Sequence, residues 1–283
     1  MATTIRPAAD ASQKFVPREH GATAMLLIPF FAAAILLRQF YWTEIVALAA
    51  VVCAFAIKDP LVVLARQRFV WKQEHPETKP ALRSALLEFV LVAICGLTLL
   101  LTRDWRPFVL LFLGAGAFTV LAVAVNVRNR QRSEWFQVAS AVALSSTSVA
   151  VSLSGPGRIA SWVWLLWLLT ALQAAAGIFV VHARLDARIA ARKGREADTA
   201  SRRAAFLSQA VLLLAAVVFT YFGRFWIAAA LLAAAAGYLL ELRRQKNPAS
   251  LQMSLKRVGQ EALTLSIAYS LMVIAGLWQF AKY

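Results

Sequence analysis

Two stretches of this chain place cations and single carboxylates at helical spacing. The first is "IKDPLVVLARQR", from Ile57. Asp59 and Arg66 lie seven residues apart, which returns to one helix face, and Val62 and Val63 fall between them. Lys58 precedes Asp59, and Pro60 lacks the N–H that an unbroken helix needs. The second is "FVVHARLDARIAARKGRE", from Phe179. His182 and Asp186 are spaced i, i+4, and Arg184, Arg188 and Arg192 form a second stripe at the same interval. Guanidinium groups hold phosphate through paired N–H donors, so this pattern suits an anionic ligand. A third cluster, "NVRNRQRSEWFQ", sets Arg128, Arg130 and Arg132 among Asn126, Asn129 and Gln131. It suits a phosphate or a lipid headgroup, and equally a simple topology determinant. No Ser–His–Asp order, HExxH motif or zinc spacing is present. Cys53 and Cys95 sit in apolar runs and read as packing residues.

The elements that carry these residues follow from hydropathy. Of 283 residues, 60% are hydrophobic and 16% charged. A soluble domain has about 45–50% and about 25%. Segments long enough to span a bilayer fall at 20–38, 40–57 (continuing as helix to about 70), 81–102, 106–127, 134–155, 160–183, 204–222, 224–242 and 263–281. The expectation is an all-α, polytopic membrane protein of nine transmembrane helices. Residues 1–19 form a cytoplasmic tail and 20–283 one helical domain. The tail has no apolar core and is not a cleavable signal peptide. "LQMSLKRVGQEAL", 250–262, is amphipathic and short, and is expected to lie at the membrane interface.

Nine spans put the termini on opposite sides. The tail and the even-numbered connections then hold 24 of the 30 Lys and Arg residues, and the other side holds six. Positive charge accumulates in the cytoplasm, so the N-terminus is placed inside and the C-terminus outside. The net charge of +16 is thereby accounted for by topology and anionic headgroups, without nucleic acid. The long cytoplasmic connections, 58–80 and 184–203, are where function is expected. "RQFYW", "RDWRP" and "GRFW" supply aromatic anchors outside.

Other polar residues fall near or inside the spans. Asp59, Glu88, Glu134, Asp186, Glu241 and Glu261 lie at cytoplasmic boundaries, where helix-end salt bridges are the ordinary role. His20 opens the first span as an interface residue or a ligand contact, and Pro29 predicts a kink within it. Ser145, Ser146, Thr147 and Ser148 suit tight helix packing, and Gln173 should face the bundle.

"PREHGATAMLLIPFF" resembles the start of the YwiC-like family of bacterial membrane proteins, whose hallmark is an HGAW motif. This chain has His20, Gly21 and Ala22, then Thr23 in place of Trp. "RNRQRSEW" and "RLDAR" extend the resemblance. That family implies no particular activity. The order of spans is also similar to the UbiA superfamily of intramembrane prenyltransferases, with "TKPALRSALLEFVLVAICGL" and "VNVRNRQRSEWFQVASAVALS" at corresponding places. This second resemblance implies an inner-membrane helical bundle with a cytoplasm-facing cavity. There Mg²⁺ would bridge aspartates ending the second and sixth spans to a polyprenyl diphosphate. The pattern N-D-x-x-D-x-x-x-D falls here on Lys58, Asp59, Val62 and Arg66, and the sixth-span motif keeps Asp186, with His182 near a second position. One carboxylate per half-site is few for Mg²⁺, and the added cations attract an anion directly. The expectation is an anionic amphiphile held by Lys58, Arg66, Arg128, Arg130, Arg184 and Arg188, with Asp59 and Asp186 as metal ligands if Mg²⁺ binds. Whether such a protein is an enzyme stays open. A small-anion permease and a non-catalytic scaffold fit the same residues.

Overall fold

The computed structural model describes residues 20–73, 76–194, 196 and 198–281. The expected tail, 1–19, lies outside them. Every regular element among the described residues is helical. In chain order these are α1 (His20–Leu37), α2 (Trp42–Ala56), α3 (Lys58–Arg66, extended by a π turn at Gln67–Trp71), α4 (Thr78–Thr102), α5 (Trp105–Val127) and α6 (Glu134–Ser145). They continue as α7 (Thr147–Ser154), α8 (Ser161–Lys193), α9 (Thr199–Tyr221), α10 (Phe225–Arg244), α11 (Pro248–Leu251) and α12 (Leu255–Leu277).

Eight helical stretches are long and apolar enough to cross a membrane, with α2–α3 and α6–α7 each counting as one. The expected ninth, α1, is apolar but shorter, at Gly21–Leu37. The interfacial helix expected at 250–262 is not formed. Its second half is the start of α12, which runs unbroken from Leu255 to Leu277. Two of its three charges form ion pairs: Glu261 meets Arg257 one turn back at 3.4 Å and Arg244 of α10 at 3.1 Å.

The predicted helix breakers act locally. Pro60 follows the α2–α3 junction at Ile57 by three residues. Pro29 loosens the carbonyls one turn back, and Thr147 Oγ1 donates to Leu26 O at 2.7 Å. That bond ties the Pro29 turn of α1 to the start of α7, just past the α6–α7 break. All eight residues of α7 are buried, so this short helix is the central packing piece.

A closely packed layer lies toward the end of the bundle opposite the basic connections. Leu36, Leu99, Phe108, Val151, Leu166 and Ile227 are fully buried there. Thr43 donates to Ser154 O at 2.5 Å, and Arg103 reaches the same carbonyl at 2.9 Å. A Cβ on Gly155 would stand 2.9 Å from Leu37 Cδ1, so the chain passes close to α1 there. α10 and α12 approach as closely at Gly237 and Gly276. Outward faces carry exposed Leu86, Leu87, Leu213, Leu214 and Val217, as a lipid-facing surface should.

Candidate functional site

The basic half of the bundle is hollow. α1 packs on α6, α7, α8 and α12, while α2 and α3 pack on α4 and α5. The space between these groups is a cavity of about 1980 Å³. Its lining is mostly apolar, from α1, α2, α5, α6, α8 and α12. It reaches about mid-span, to Pro29, Ala50, Ala150, Thr170 and Ser270, with Leu110 the farthest point. A separate hollow of about 610 Å³ at the opposite end, around Arg224, Trp226 and Phe280, shares no lining residue with it. The solid layer of Leu36, Phe108 and Leu166 lies between the two ends.

Cations rim the mouth of the large cavity: Lys58, Arg66, Arg132, Arg244 and Lys256. Two acids share the rim, Glu241 and Glu261. Each is already matched, Glu241 by Arg184 and Glu261 by Arg244 and Arg257. Positive charge is left over at the rim. Arg66 is held in place by two bonds, to Asn126 O at 2.9 Å and Asn129 Oδ1 at 3.1 Å. Asn129 adopts φ +55°, a left-handed turn that asparagine tolerates better than most residues. Lys58 lies 3.6 Å from Asp59 Oδ1 and over the Phe55 ring.

The residues expected to form the site fall into three groups. Lys58 and Arg66 line the cavity mouth. Arg128 and Arg130 are exposed on the α5–α6 turn, and Arg188 is half-buried; none of the three lines the cavity. Arg184 is 2% exposed, paired with Glu241, and donates to Ser250 O at 2.6 Å. It locks α8 to α10 and α11 and presents no free face to a ligand. His182 bonds Gln137 Oε1 at 3.1 Å and stands 3.8 Å from Glu134, while Asp186 accepts from Ser201. This polar cluster joins α6, α8 and α9 behind the cavity wall, and only Gln137 of it reaches the lining. His20 opens α1, but its side chain is outside the described residues.

The exits of the second and sixth spans therefore do not converge on one ligand. Asp59 and Asp186 belong to different helices, and neither lines the cavity. Among the described residues no group of three or more His, Cys, Asp or Glu is placed to hold a metal ion. The donor set does not fit Mg²⁺, which takes carboxylates together with phosphate and water, and no reaction step is built on it.

The sequence did not point to Arg132, Arg244 and Lys256 as one rim. They lie on three separate elements, and nothing in the spacing joins them. It also passed over Ser266 and Ser270, whose i, i+4 spacing in an apolar span was a readable sign of a polar face.

Fold and cavity together define a polytopic, multi-pass helical membrane protein with a mostly apolar chamber that carries basic side chains at one end. Residues 16–152 match the family model described as YwiC-like protein. The match runs from just before α1 to within α7, so it takes in the first helix with its Pro29, the Lys58–Arg66 segment and the Arg128–Arg132 turn. No curated protein matches the chain.

Proposed function

We propose that this protein binds an anionic amphiphile, with the tail in the chamber between α1, α5, α8 and α12 and the head at the rim of Lys58, Arg66 and Arg132. The observation that carries this reading is the large, mostly apolar cavity whose lining includes surplus cations at one end. Its volume is about twice the upper end of ordinary small-molecule sites, roughly 1,000 Å³. Moving a tail from bilayer to chamber exchanges one apolar medium for another and gains little. Selectivity therefore rests on the head, where charge-assisted bonds from Arg66 and its neighbours are strongest for phosphate. The resemblance to the UbiA superfamily favours an isoprenoid diphosphate as the ligand class and the cytoplasm as the side of entry. Binding is the function proposed. Prenyl transfer needs carboxylates that this arrangement does not gather. The separation of the two hollows supports binding over passage across the membrane.

The test is thermal stabilisation of the detergent-purified protein by farnesyl and geranylgeranyl diphosphate, against farnesol and inorganic diphosphate, with Mg²⁺ and with chelator. Both prenyl diphosphates should stabilise, farnesol and inorganic diphosphate much less, and chelator should change little. Stabilisation that vanishes with chelator would contradict the direct role given to the cations. No stabilisation by any of these amphiphiles would remove the reading.

A further inference from the structure

Gln173 gives the chamber a hydrogen-bonding point far from its charged rim. Gln173 of α8 is 6% exposed and lines the cavity. Its side-chain nitrogen donates to Tyr238 Oη at 2.7 Å and to Ser266 Oγ at 3.0 Å. Both hydroxyl protons are committed elsewhere: Tyr238 donates to Gln173 O at 3.2 Å and Ser266 to Ala262 O at 3.0 Å. Both hydroxyls must therefore accept from the amide, which fixes its orientation. Gln173 Oε1 is left with two free lone pairs and no partner among the described residues.

Ser270 stands one turn beyond Ser266 on α12. It is also 6% exposed, lines the same cavity and makes no hydrogen bond among the described residues. An amide oxygen and a hydroxyl that face the chamber with no partner among the described residues are costly in an apolar surrounding. Helix packing alone explains the Tyr238 and Ser266 bonds, but not these two open valences. Ser270 lies fourteen residues along α12 from Lys256 at the rim. At 1.5 Å per residue that is about 21 Å.

Building on the amphiphile reading, we propose that Gln173 Oε1 and Ser270 Oγ form a second recognition point, which takes a hydroxyl or N–H-bearing group on the ligand about 21 Å in from the rim at Lys256. Gln173 Oε1 only accepts, so the ligand supplies a proton there. Ser270 Oγ donates to the same ligand atom or its neighbour. The occupant is then a chain that is polar at both ends, or an anionic amphiphile beside a small hydroxylated co-ligand.

The experiment compares n-alkyl phosphates with ω-hydroxyalkyl phosphates over a series of chain lengths, by calorimetric titration of the full purified chain. At lengths that span rim to Ser270, the hydroxylated probe should bind wild type about tenfold more tightly than its plain counterpart. That ratio should fall towards one in Ser270→Ala, where no internal bond is lost, and in Gln173→Leu. Equal affinities at every length, or a ratio untouched by Ser270→Ala, would overturn the second point and leave head-group binding standing. Failure of both probe classes to bind would remove the amphiphile reading and this inference with it.

Discussion

Arg184 shows how far a residue's type can stand from its role. Its place in an Arg stripe at a helix exit suggests a phosphate ligand. The fold instead buries it at 2% exposure against Glu241, whose side chain is 17% exposed. Removing one member of a buried pair leaves an uncompensated charge, so Arg184→Ala should cost about 3 kcal/mol, seen as a lower melting temperature in detergent. Arg184→Met with Glu241→Leu should recover most of that loss, because an apolar pair of similar size needs no desolvation. Recovery no better than the single variant would mean that Arg184 acts through Ser250 rather than Glu241. Arg66 is the opposite case. It lines the chamber and is oriented by Asn126 and Asn129. Arg66→Ala should weaken farnesyl diphosphate binding by roughly tenfold while leaving the melting temperature of the free protein nearly unchanged. The chemistry of Lys58, Arg66 and Arg184 was legible in the sequence as charge type and spacing. Which cation would find an internal carboxylate was not, because Glu241 lies 57 residues away from Arg184.

At the scale of elements, most of the fold was legible because a bilayer imposes length and apolarity on each span. α8 answers the question raised by its charged exit. It runs 33 residues from Ser161 to Lys193, about 50 Å at 1.5 Å per residue, against a hydrocarbon core of about 30 Å. The helix simply continues past the lipid, and Gly194 ends it at φ +62°. Four of the six boundary acids took their expected role, since Glu241, Glu261, Asp59 and Glu134 each have a basic neighbour, whereas Glu88 accepts from Ser84 and Asp186 from Ser201. The start of α12 misled because Lys256, Arg257 and Glu261 look like the polar face of a surface helix. Pairing along and between helices lets those charges ride on a span instead. Close approach was the least legible property. A Cβ at position 177 would stand 2.7 Å from Tyr238 Oη, so Gly177→Ala should push the ring off Gln173 and cost about 1–3 kcal/mol. A thermal melt checks the stability. The same variant should also lose selectivity for the ω-hydroxylated probe, because Gln173 would lose the bond that aims it.

The whole molecule is asymmetric from end to end. One half is filled by Leu, Phe and Trp side chains, and the other is a chamber with a basic rim. The charge count alone placed the basic end in the cytoplasm. A reporter fused after Ala281 should be active only outside the cytoplasm, and one fused before α1 only inside. A reversed result would invert the side of entry while leaving the chamber as it is. The side of the chamber was not readable from sequence, because emptiness is a property of how α2–α5 lean away from α1 and not of any one segment.

The most direct measurement is photo-crosslinking of a prenyl diphosphate that carries its reactive group at the tail end, followed by mapping of the labelled residues. Labels on the chamber wall near Thr170, Gln173 and Ser270, competed away by unlabelled diphosphate and reduced in Arg66→Ala, are the predicted result. Labels confined to the lipid-facing surface near Leu86, Leu213 and Leu214, and indifferent to competitor, would contradict the account.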